Sequence, residues 1–148
     1  MGKQLARKVQ WDGMGFDSLG ELSCYKKLIS EFGKDNVLRE PKRFIIATGK
    51  RQSNVFRSYG KMMSDRKFPH DDSDKLFTPD FVVLHKGRKH IIEFKNAFTQ
   101  SADYPLRRFI FLNSHQYGYY DSYFEPKSQS EVREAIYIIL NKDWDASN

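Results

Sequence analysis

The residues best suited to chemistry lie in two short runs, Thr78-Pro79-Asp80-Phe81 and Glu93-Phe94-Lys95. Apolar runs at 81–84 and 90–95, joined by residues 85–89, predict a β-hairpin, and pairing its strands sets Asp80 alongside Glu93. Side chains alternate along a strand, so Glu93 and Lys95 share one face while Phe94 takes the other. Two carboxylates and an ammonium then converge. Two carboxylates in a low-dielectric cleft repel, and both ionise readily only with a divalent cation between them. Hard oxygen donors with water positions left open suit Mg²⁺, with Mn²⁺ as a substitute. Such a centre hydrolyses phosphodiesters, and Lys95 either holds the attacking water or neutralises phosphate charge.

Glu21 admits two readings. As the fourth residue of Ser18-Leu19-Gly20-Glu21 it completes a helix capping box. Yet Tyr25, Leu28 and Phe32 follow at four, seven and eleven positions, which puts Glu21 on the inward stripe of a helix predicted over 19–32 and stopped by Gly33. An inward carboxylate needs a partner, since unpaired burial costs several kcal/mol or neutralises it. Either the metal cluster or Lys95 fills that role.

The rest of the chain must position these groups. Its 148 residues suffice for one domain with a real core and are too few for two; 39% hydrophobic and 15% aromatic content separates it from disordered chains. Leu22, Tyr25, Leu28, Ile29 and Phe32 form the inward stripe of the first helix, with Lys26, Lys27 and Glu31 toward water. Residues 37–38 and 43–47 read as one strand or two short ones broken at Pro41. Pro105 opens a helix to Asn113 that buries Leu106, Phe109 and Ile110, with Leu112 a further candidate, and a strand over 109–112 is the rival. Residues 115–124 read as irregular or strand. Ser130 starts a last helix to about Lys142, with Val132, Ile136, Ile139 and Leu140 inward.

Lys and Arg outnumber Asp and Glu by 25 to 19, and the resulting +6 favours a polyanionic partner, DNA first. The charge concentrates at 48–76, where periodicity vanishes: Lys50, Arg51, Arg57, Lys61, Arg66 and Lys67 are interleaved with Phe56, Tyr59 and Phe68 before an acidic run at Asp71, Asp72 and Asp74. This basic insertion either carries function or hides short helices. A backbone-tracking arm that stacks on unpaired bases and a mobile solvated loop are its two readings. Arg107 and Arg108 either grip phosphates or form a solvated helix face. No apolar run approaches the roughly 18 residues of a membrane span, the first residues lack a signal core, and the lone Cys24 reads as a small buried filler. A cytoplasmic protein that does not engage membranes is expected. Thr48-Gly49-Lys50 lacks the upstream glycine of a phosphate loop, the acidic run lacks a calcium loop's turn glycine, and the four histidines have no metal-ligand spacing. His90 reads as a strand-edge or surface residue.

A helical Glu21, Pro79-Asp80 on one strand and Glu93-Phe94-Lys95 on the next resemble the PD-(D/E)XK nuclease superfamily. Asp12-Gly13 before Phe16-Asp17-Ser18-Leu19-Gly20-Glu21, with Arg39-Glu40-Pro41-Lys42-Arg43-Phe44 downstream, is similar to small phage proteins related to phage endonuclease I, a Holliday-junction resolvase. The resemblance covers residues 11–112. It implies an α/β fold, a restriction-endonuclease-like mixed sheet flanked by helices, spanning residues 1–148 as one nuclease domain. It further implies metal ligation by Asp80, Glu93 and the Phe94 backbone carbonyl, a supporting role for Glu21, a catalytic Lys95, and a homodimer whose two centres cut two strands, in a host cytoplasm if phage-encoded. The chain departs from the pattern in the long 48–76 segment. Two other readings stay open: a sequence-specific homing or restriction-type endonuclease, and a non-catalytic DNA binder.

Overall fold

The computed structural model describes residues 8–70, 72–95 and 102–146. The two most apolar runs become its centre. Strands β8 (Phe81–His85) and β9 (Arg88–Ile92) form an antiparallel hairpin paired Phe81↔Ile92 through His85↔Arg88. The connection is tighter than the expected 85–89 loop. Lys86 and Gly87, at φ 50° and 75°, make the two-residue turn whose twist matches the strands. Strand β3 (Val37–Arg39) joins the outer edge of β8 antiparallel, and β10 (Ser122–Phe124) joins β9 in parallel, giving the order β10-β9-β8-β3. Both central strands are buried on both faces, which is why their sequences run apolar without alternation.

Helix α1 (Leu19–Phe32) has the predicted bounds. The Ser18 hydroxyl accepts the Glu21 N–H at 3.1 Å, and Gly33, at φ 89°, ends the helix in a conformation glycine adopts freely. With α3 (Gln129–Asn141) it covers one sheet face, where Leu22, Tyr25, Leu28, Val132, Ala135 and Ile139 meet Phe81, Val83 and Ile92. The cap of α3 is Ser128, not Ser130. Ser128 has Glu131 three residues on and accepts its N–H at 3.2 Å, whereas Ser130 is followed at that spacing by Arg133. Leu140 is exposed rather than inward.

The opposite sheet face carries α2 (Tyr104–Leu112) and an antiparallel pair, β4 (Phe44–Ala47) with β7 (Lys75–Phe77). Here Val82 and Ile91 pack against Phe44, Phe77, Tyr104 and Phe111. Of the predicted inward face of α2, Leu112 packs partly buried against this core and the rest does not. Leu106 and Phe109 are exposed and Ile110 is half-buried, because Phe111 stacks on Phe77 at 4.5 Å and Tyr104 on the same ring at 6.3 Å, one helical face apart from Leu106. His90 corrects a second expectation: it is fully buried in a central strand, bonded through Nδ1 to Ser122 Oγ at 2.6 Å.

Asp12 and Gly13, at φ 51° and 75°, turn a short hairpin of β1 (Val9–Trp11) and β2 (Met14–Phe16) that the sequence reading did not resolve. Within 48–76 the concealed elements are strands rather than helices: β5 (Phe56–Tyr59) and β6 (Met62–Asp65) pair only with each other. The architecture is thus mixed α/β, with several small sheets and three helices among the described residues. None of these helices is long and apolar enough to cross a membrane.

Candidate active site

Because Phe81 pairs with Ile92, Asp80 and Glu93 face each other one step beyond the ladder. Side chains and backbone there bond crosswise: the Asp80 N–H donates to Glu93 Oε1 at 3.0 Å, and the Phe94 N–H donates to Asp80 Oδ2 at 3.0 Å. The Glu40 N–H holds the Asp80 carbonyl at 2.8 Å, while the Glu93 and Lys95 N–H groups extend the parallel ladder to the Phe124 and Pro126 carbonyls at 2.8 and 3.0 Å. Every backbone flank of the two acids is therefore fixed. Glu93 is buried and Asp80 half-buried, and their carboxyls lie within hydrogen-bonding range of each other.

Burial pushes the Asp80 carboxyl well above the usual carboxylate range, and the neighbouring Glu93 charge pushes it further; Lys95 and the Phe94 N–H oppose this. Glu93 is raised as well, chiefly by burial, against the pull of Asp80's hydrogen bonds and Lys95. Glu21, buried on the first turn of α1, is pushed up to about 7 by burial and then by the Asp80 charge. The Glu21 N–H takes the Ser18 cap, and after burial the charges acting most on its carboxyl are those of Asp80, Asp17 and Arg39. All three acids have raised proton affinity, burial and like charge outweighing the nearby positive charge.

Asp80 and Glu93 present oxygen donors of the class a hard divalent cation takes. One backbone bond occupies only part of a carboxylate's roughly four acceptor positions, leaving oxygens for an ion. Among the described residues no three His, Cys, Asp or Glu side chains group closely enough to enclose a metal. An ion between Asp80 and Glu93 would draw on two carboxylates, the Phe94 carbonyl and water, a set that suits Mg²⁺ because it dehydrates reluctantly.

Gly20 explains how α1 approaches this corner. A Cβ there would lie 2.7 Å from Phe94 Cε1, so glycine alone lets the helix seat on the Phe94 ring. The Gln129 amide of α3 donates to the Gly20 carbonyl at 2.9 Å and locks that turn. Glu93 and Lys95 point the other way, toward α2. The Lys95 ammonium sits 4.4 Å from the centre of the Tyr104 ring, a cation–π contact that fixes its direction. Tyr104 Oη lies 2.7 Å from Tyr123 Oη, 2.7 Å from Glu125 Oε1 and 3.5 Å from Glu93 Oε2. Tyr123 Oη also donates to Glu125 Oε1 at 2.6 Å, and Arg108 binds Glu125 Oε2 at 2.6 Å.

Tyr104, Tyr123 and Glu125 are the residues the sequence reading missed. No spacing rule links them to Glu93; alternation along β10 puts Tyr123 and Glu125 on one face, but only the Ile92↔Phe124 register brings that face beside the acids. Arg108 is half-buried and committed to Glu125, and Arg107 is half-buried with a bond to the Leu76 carbonyl at 3.3 Å, so neither forms a solvated helix face. Lys50, Arg51, Lys61, Arg66 and Lys67 are exposed and Arg57 half-buried, all in the 48–76 segment. Asp72 pairs with Lys67 at 2.7 Å; Asp71 lies outside the described residues. Cys24 is buried beside Tyr25, its thiol pushed up by burial, as a filler would be. Comparison with protein-family models, curated proteins and solved structures gives no match to this chain.

Proposed function

We propose that the protein is a Mg²⁺-dependent DNA endonuclease of the PD-(D/E)XK kind, with a restriction-endonuclease-like arrangement around its central hairpin. The observation that carries this reading is the crossed bonding at the hairpin mouth, Asp80 N–H to Glu93 Oε1 and Phe94 N–H to Asp80 Oδ2, each at 3.0 Å, with the Lys95 charge acting on both acids. Asp80, Glu93 and the Phe94 carbonyl hold the ion, and Mn²⁺ substitutes for Mg²⁺. When bound, the ion supplies charge stabilisation at the scissile phosphate and a water of lowered pKa. Lys95, aimed by the Tyr104 ring, orients the attacking water or neutralises a non-bridging phosphate oxygen. Glu21 sits behind Asp80 and tunes its charge. Lys50, Arg51, Arg57, Lys61, Arg66 and Lys67 supply phosphate contacts, while Arg107 and Arg108 are held by Leu76, Asp103 and Glu125.

Branched junctions are the proposed substrate and a homodimer the acting form, since cutting two strands requires two centres. A non-catalytic binder is the second reading, favoured by one observation: each carboxyl already accepts a neighbouring backbone N–H. A nicking assay over junction, flap and linear duplex DNA, with Mg²⁺ present and absent, decides between them. Mg²⁺-dependent cutting that Asp80→Ala and Glu93→Ala abolish, with DNA binding retained, is the expected result. Equal cutting by all three proteins contradicts the assignment.

A further inference from the structure

Beyond the β4–β7 pair the chain leaves the core as an arm. At its neck the Gly49 N–H donates to Asp74 Oδ1 at 3.0 Å, and a Cβ on Gly49 would lie 2.3 Å from the Ser73 carbonyl oxygen, so the two limbs touch backbone to backbone. Past the neck, β5 and β6 turn through Gly60 and Lys61, with Gly60 at φ 69° in the first central position of a tight hairpin turn. Hydrogen bonds within the arm hold its shape: the Arg66 N–H to the Val55 carbonyl at 3.2 Å, and the Arg57 guanidinium to the Lys67 carbonyl at 3.1 Å.

The register Arg57↔Ser64 and Tyr59↔Met62 puts these four residues on one face, and alternation adds Arg66 and Phe68. On that face the Arg66 guanidinium lies 3.5 Å from the centre of the Tyr59 ring and Arg57 lies 5.3 Å from that of Phe68. Tyr59 remains 54% exposed and Met62 70% exposed at the tip. Side chains this apolar and this open contribute little to the fold of a two-stranded hairpin and mark a contact surface. Beside them a cleft of about 390 Å³ is lined by Arg51, Arg57, Arg66, Lys67 and Pro69. Residues 48–76 hold seven Lys and Arg against four Asp, and although Lys67 pairs with Asp72 and Arg51 with Asp65, the arm keeps a net positive charge. An acidic protein would answer the charge but leave the ring and thioether in water. A nucleic-acid strand with unpaired bases answers both, since phosphates take the cations while an unstacked base has a flat face to lay on an aromatic ring.

We propose that the arm is a second DNA contact, separate from the carboxylate pair, that selects DNA with unpaired bases: the cationic cleft holds backbone phosphates and the open face of Tyr59, with Met62, receives a base. This rests on the reading of the chain as a DNA nuclease and deepens it by substrate class. The test is fluorescence anisotropy of the full chain in chelator, where nothing is cut, on a perfect duplex and on the same duplex carrying a three-base bulge. The bulge contains 2-aminopurine as a stacking reporter. Wild type binds the bulged DNA about fivefold or more tightly than the duplex and changes the 2-aminopurine emission, stacking of a base on an aromatic ring being worth about 1–3 kcal/mol. Tyr59→Ala brings the ratio toward one, and Tyr59→Phe, which keeps the ring, keeps it. Wild-type binding of both DNAs with equal, salt-sensitive affinity overturns the arm's selectivity and leaves the nuclease reading standing. No binding to either DNA overturns both.

Discussion

At the residue scale, the three acids carry their proton affinity as a stability signature. Glu21 is raised from an ordinary 4.5 to about 7, so the folded chain binds a proton there that the unfolded chain has already released. Stability from this group is complete below about 4.5 and is lost as pH rises through about 7; Asp80 and Glu93 shift in the same direction and add to the loss. In chelator, thermal unfolding should therefore occur at lower temperature as pH is raised from about 5 to about 8, with a shallower fall in Glu21→Gln. Mg²⁺ should restore most of the difference at the upper end, because it binds the ionised acids. A melting temperature independent of pH contradicts the burial argument. Tyr104 permits a second residue-level test. Its ring aims Lys95 and its hydroxyl joins the Tyr123–Glu125 network. Tyr104→Phe keeps the ring and should hold kcat within about threefold, whereas Tyr104→Leu loses a contact worth about 1–2 kcal/mol and should lose about tenfold or more, at unchanged DNA affinity. Equal losses in both variants would assign the positioning to the hydroxyl instead. Asp80, Glu93 and Lys95 were legible in the sequence because strand alternation and a hairpin suffice to bring them together. Tyr104 and Glu125 were not, since the parallel pairing that places Glu125 comes from a strand thirty residues downstream of β9.

Among the elements, α1 was read to the residue because three independent signals agree: the Ser18 cap, the three-and-four apolar spacing and the Gly33 stop. The inner face of α2 was misread, as its nine residues contain apolar side chains all round and only contact with Phe77 selects Tyr104 and Phe111. The hairpin of the 48–76 arm escaped notice for a related reason. Its strands bury no face, so they lack the alternation by which a half-buried strand is recognised. Gly20 is where element packing reaches the chemistry. Gly20→Ala favours the helix by about 1 kcal/mol in intrinsic propensity, yet its methyl drives into the Phe94 ring, and the Phe94 backbone flanks both acids. Melting and nicking rate measured together should show stability within about 1 kcal/mol of wild type and activity lower by about tenfold to a hundredfold, the scale of a small displacement of catalytic groups. Unchanged activity would detach α1 from the site.

For the whole molecule, the sheet divides the labour. One face, under α1 and α3, is a conventional apolar core; the other, under α2 and the β4–β7 pair, combines a second core with the acid corner and the root of the basic arm. The mixed α/β class was expected from the resemblance carried by Glu21, Asp80, Glu93 and Lys95, whereas the division into several small sheets depends on pairings no local pattern encodes. Net charge of +6 draws DNA to the surface, but the central claim is narrower: Asp80 and Glu93 together hold one divalent cation. Mn²⁺ titration followed by electron paramagnetic resonance measures this without any substrate. Wild type should bind one Mn²⁺ per chain, displaced by Mg²⁺, and both Asp80→Asn and Glu93→Gln should weaken that binding by about tenfold or more. Equal Mn²⁺ binding by wild type and both variants would contradict the account.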